Sequence, residues 1–91
     1  MSVLNRSLYL NGTTSQAIKS GAGVFYGFVV NSHTSGTIKL WDNTAGSGTV
    51  LLNTITLAAG SGFYTLPHGV AFNTGLFVTV GGTLDYTILY A

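Results

Sequence analysis

Charge is what this sequence has least of. Of 91 residues, three are Lys or Arg and two are Asp or Glu, 5% in all, where an average soluble domain of this length carries roughly 23. The net charge of +1 comes without a basic run, so the electrostatic footprint for nucleic acid is missing, as is the polybasic signal for an anionic membrane. Cysteine is absent. That excludes disulfides and thiolate metal sites, and leaves oxidising and reducing compartments equally open. No apolar run reaches 18 residues, and the opening residues, Met1 to Ser7, lack a basic region followed by an apolar one. Neither a transmembrane helix nor a signal peptide is therefore expected. The length admits one domain, residues 1–91, and no second.

Helical periodicity is the other absence. Thirteen Gly and one Pro divide the chain into short β-branched or aromatic segments that largely alternate, the pattern of an all-β domain. Val3 to Leu10 reads as a strand closed by Asn11-Gly12, and Ser15 to Lys19 as a short strand or connection. In Val24 to Asn31, alternation places Val24, Tyr26, Phe28 and Val30 on one face and Phe25, Gly27 and Val29 on the other. Both faces are apolar, as in a strand covered on both sides or at a subunit contact. From Thr37 to Trp41, Ile38 and Leu40 point to the core and Thr37, Lys39 and Trp41 away from it. After an Asp42 to Gly48 loop come Thr49 to Leu57, Phe63 to Leu66, Val70 to Phe72, Leu76 to Val80 and Thr83 to Tyr90. Pro67 ends its strand or confines it to an edge, and Gly81-Gly82 reads as a hairpin. The expected fold is a small two-sheet antiparallel β-sandwich, jelly-roll-like or immunoglobulin-like, of seven or eight strands. A membrane barrel is disfavoured because such barrels need strands of about 9 to 11 residues.

Little in this sequence carries chemistry. Asp42 and Asp85 are the only carboxylates for acid–base work; Asp42 opens an Asp-Asn-Thr turn and Asp85 faces away from the expected core. His33 and His68 sit in loop-like sequence without the close local spacing of a zinc site. Gly21-Ala22-Gly23 is a tight bend, since no helix follows to present its amides to a phosphate. No catalytic residue, cofactor or metal site is assigned, and no enzyme is expected. Trp41 invites a sharper reading, as an interface anchor or a sugar-stacking platform, against the plainer one of packing under a loop of its own subunit. Tyr64, Tyr86 and Tyr90 read equally as core or rim.

The surface supplies the positive argument. A folded monomer of this size exposes on the order of 5,000 Å², so five charges leave about one per 1,000 Å². A surface this neutral is poorly protected against association, and a homo-oligomer, with a trimer favoured, is expected. Leu4, Leu8, Tyr9, Phe25, Trp41, Tyr64 and Tyr90 are the candidate interface residues.

From about Gly23 onward, the phrases Gly36-Thr37-Ile38-Lys39-Leu40-Trp41-Asp42 and Gly69 to Gly82, with the apolar strand before them and the closing strand Thr83 to Tyr90, resemble small virion proteins of tailed bacteriophages. The resemblance covers about three quarters of the chain and contains no catalytic signature. It implies a non-enzymatic structural protein of the virion, assembled in the host cytoplasm. The role it favours is capsid decoration, or cement: a protein binding the major capsid protein and stabilising the shell. The alternative is a small tail, fibre or spike-associated module that recognises host glycan or protein through Trp41 and nearby tyrosines. Residues 1–10 lie outside the resemblance and read either as an arm docking on the shell or as an ordinary first strand.

Overall fold

The computed structural model describes residues 8–58 and 62–91; the candidate Leu4 and most of the candidate arm lie outside them. The described chain is all-β. Its six strands are β1 (Leu8–Gly12), β2 (Gln16–Ser20), β3 (Gly23–Trp41), β4 (Val50–Thr56), β5 (Gly62–Phe72) and β6 (Gly75–Tyr90). They form one antiparallel sheet in the order β1-β6-β3-β4, with β2 also on β6 and β5 also on β3.

Two strands are much longer than the alternation suggests, and this is why there are six. β3 runs 19 residues through the polar stretch Ser32 to Gly36, and β6 runs 16 residues through Gly81-Gly82, which is therefore not a hairpin. Thr34 pairs with Thr83 and Thr37 with Gly81, so Ser35 and Gly36 stand opposite Gly82 alone and β3 carries one extra residue at this point, the mark of a bulge that bends both strands. Ser35 adopts φ 50° and Gly82 φ 68°. A Cβ on Gly82 would fall on the Ser35 carbonyl oxygen, so glycine lets the two backbones approach at the bend. On one side of the bend β3 and β6 are flanked by β5 and β1; on the other they are flanked by β4 and β2.

A second bulge corrects the facing of Phe25. Phe25 pairs with Tyr90 and Gly27 with Leu89, leaving Tyr26 as the extra residue. The insertion slips the alternation by one, so Phe25 joins Phe28 and Val30 in the core, at 1%, 1% and 2% exposure. Phe25, one of the candidate interface residues, therefore packs inside the subunit at the base of the sheet's cleft described below. Gly27 takes φ 127°, and a Cβ there would meet the Tyr64 carbonyl oxygen and lie 2.7 Å from Thr65 Cα.

Ile38 and Leu40 are fully buried, as alternation predicts. With Ile18, Leu57, Leu76 and Val78 from beyond the bend, and Phe72, Leu84, Tyr86 and Ile88 from before it, they form a single cluster. Burial of such aliphatic and aromatic side chains, at about 1.5–3 kcal/mol each, is the main stabilising term. β5 pairs only with β3, so Pro67 is on an edge strand; Leu66 to Gly69 stand opposite the single residue Tyr26, where a missing N–H breaks no ladder bond. Strands of 16 and 19 residues remove strand length as an argument against a membrane barrel.

Candidate functional site

An apolar cleft of about 230 Å³ lies between β4 and β5. Phe25 and Phe28 form its floor, Leu52 and Ile55 of β4 one wall, and Tyr64, Thr65 and Leu66 of β5 the other. Tyr64 is held there by stacking on Phe28, with ring centroids 4.8 Å apart and planes 19° from parallel, a geometry that adds about 0.5–1.5 kcal/mol to area burial. No charged side chain lines the cleft. It suits an apolar ring or short aliphatic group and offers nothing to neutralise an ion. Alternation did not reveal it, because Val50, Leu51 and Leu52 are contiguous apolar residues and β4 slips register against β3 near them.

The exposed large apolar side chains follow the same geography. Leu8 and Tyr9 are on β1, Val50 on β4, and Phe63, Tyr64 and Val70 on β5. These three strands, LYLNG, VLLNTIT and GFYTLPHGVAF, contain no Asp, Glu, Lys or Arg, and each pairs with one neighbour only. Exposed edges are normally protected by just such charges. Of the interface candidates, Leu8 (55%) and Tyr9 (69%) are well exposed and Tyr64 (36%) partly so, while Tyr90 is half-buried against the core.

Trp41 is engaged within its own subunit. Its indole N–H donates to Thr79 Oγ1 at 3.0 Å, and the Lys39 ammonium lies 4.3 Å from the ring centroid, a cation–π contact that occupies one ring face. Stacking on a sugar would have to use the other face.

The polar groups are likewise spent on structure. Asp42 accepts backbone N–H groups from Asn73 at 3.0 Å, Thr74 at 2.8 Å and Gly75 at 3.4 Å, fixing the β5–β6 turn. Those amides, Thr74 foremost and then Asn73, hold its carboxyl below the usual carboxylate value against a smaller opposing effect of burial. Asp85 accepts from Asn31 Nδ2 at 3.2 Å and is paired with Ser32, on the other side of the bend in β3 from Asp42. The Gly36 N–H donates to His33 Nδ1 at 3.1 Å, and His33 Nε2 contacts the Ala58 carbonyl, tying the bend in β3 to the end of β4. His68 is exposed in the β5 bulge. Among the described residues no three His, Asp or Glu side chains converge. Sequence reasoning left Tyr86 undecided between core and rim; it is fully buried, donates to the Thr14 carbonyl at 2.6 Å and accepts from Gln16 Nε2 at 2.8 Å.

No known protein family, curated protein or solved structure matches this chain.

Proposed function

We propose that this chain is a non-enzymatic structural subunit of a tailed-bacteriophage virion, a capsid decoration protein that binds the major capsid protein as a homo-oligomer, most naturally a trimer. The observation that carries the assembly part is the concentration of exposed apolar side chains on three uncharged edge strands. An edge of this kind is a template for association, and burying it against copies of the chain or a larger shell removes the liability. The virion part rests on the resemblance of residues 23 to 91 described above. We further propose that the halves of the sheet on either side of the bend stack as a sandwich of the jelly-roll type. The single shared core and a shortest dimension of 18 Å support two layers about 10 Å apart.

The host-binding alternative draws less support, because Trp41 has one face and its N–H already engaged. The test is binding to expanded capsids. A decoration protein saturates near one trimer per local three-fold and raises the capsid melting temperature; failure to bind capsids, with cell or glycan binding lost in Trp41→Ala, favours the tail or fibre reading.

A further inference from the structure

Knob and hole sit on opposite faces of one strand. Phe63 is the most exposed large apolar side chain of the described residues, at 79%, and it is paired with Val29, while its neighbour Tyr64 is paired with the buried Phe28. Adjacent strand residues project to opposite faces. Tyr64 therefore walls the cleft, and Phe63 points away from it into solvent.

We propose that Phe63 of one copy seats in the β4–β5 cleft of the next, giving a head-to-tail contact that closes into a ring; this rests on the homo-oligomer reading above. Size agrees, since an apolar cavity of about 150 Å³ accepts benzene and this cleft offers about 230 Å³. Chemistry agrees as well. Phe63 brings no polar group that needs a partner, whereas Tyr9, the next most exposed aromatic at 69%, carries a hydroxyl to the same walls. The surroundings agree too: β4 and β5 carry Val50, Phe63, Tyr64 and Val70, four of the six exposed large apolar side chains among the described residues, and no charged one. Because knob and cleft lie on different faces, the contact is heterologous, and rings or open filaments are its two products.

Light scattering on three proteins tests this: the wild-type chain, Phe63→Ser, which keeps its cleft, and Leu52→Glu, which keeps its knob but places a charge in the wall. Circular dichroism confirms that each is folded. The wild type is expected to be oligomeric at micromolar concentration, and each variant monomeric, with self-association weakened about thirty-fold or more, the scale of a central hot-spot residue. An equimolar mixture of the variants restores one knob-in-cleft contact and gives a 1:1 complex. A wild-type oligomer that persists in Phe63→Ser overturns the proposal and leaves the oligomer reading standing. A monomeric wild type overturns both, and monomeric variants that do not complement each other overturn the head-to-tail geometry.

Discussion

Replacing Tyr86 with Phe removes one oxygen from the centre of the fold and almost no volume. That oxygen donates to the Thr14 carbonyl at 2.6 Å and accepts from Gln16 Nε2 at 2.8 Å, tying the β1–β2 connection to β6 from a fully buried side chain. A neutral hydrogen bond contributes about 0.5–1.5 kcal/mol net. Thr14 is exposed and Gln16 half-buried, so both regain water once the hydroxyl is gone, and the loss is expected to be about 1–2 kcal/mol. With a urea slope near 1 kcal/mol/M for a small domain, the unfolding midpoint falls by about 1–2 M. Alkaline pH provides a second reading. Burial pushes the Tyr86 phenol up from its ordinary value of 10.0, with donation from Gln16 acting the other way. The folded state thus keeps a proton that the unfolded state releases, so this contribution is intact below pH 10 and is lost as pH rises through the raised folded value. The advantage of wild type over Tyr86→Phe should shrink above pH 10. Equal urea midpoints at neutral pH, or an advantage that grows with alkalinity, would refute the reasoning.

Three further outcomes are expected. Asp42→Ala removes a carboxylate held by backbone amides and should cost about 1–2 kcal/mol above pH 5, allowing for screening at a partly exposed site. Because the carboxyl sits below its ordinary 3.8, that difference vanishes as pH falls through its folded value, and acid titration of both proteins by circular dichroism measures it. Gly27→Ala places a Cβ against the Tyr64 backbone at φ 127° and should cost at least 2 kcal/mol, read as a melting temperature lower by about 10 °C or more. His33, with Nδ1 accepting from Gly36 and Nε2 directed at the Ala58 carbonyl, should as a neutral ring be the Nε2–H tautomer by 15N chemical shift; an Nδ1–H ring contradicts the bend geometry.

The parts of the fold legible in the sequence are those where strict alternation operates. Period-two spacing assigns Ile38 and Leu40 to the core, and both are fully buried; of the two readings of Pro67, ending its strand or confining it to an edge, the second is the one seen, since β5 runs through it as an edge strand. What escaped are the places where one residue is inserted. Tyr26 is extra opposite β6, which sends Phe25 inward, and the Gly81-Gly82 pair looks identical in sequence whether it turns a hairpin or lets two long strands approach at a bend. A bulge depends on the partner strand's register, which no single segment encodes. The cleft escaped for the same reason, being assembled from β3, β4 and β5. Trp41 was weighed as an anchor or platform, and only the positions of Lys39 and Thr79 show that its ring is engaged. The shortage of charge, by contrast, was visible at once. The strand order adds where it matters, because β1, β4 and β5 are edge strands without one charged residue.

The most direct test of the central claim is the copy number of this chain in purified virions, measured by quantitative mass spectrometry against the major capsid protein. A decoration role predicts a stoichiometry near one copy per capsid subunit, as one trimer at every local three-fold requires. A count of tens at most per particle would contradict it and move the protein to the tail or fibre.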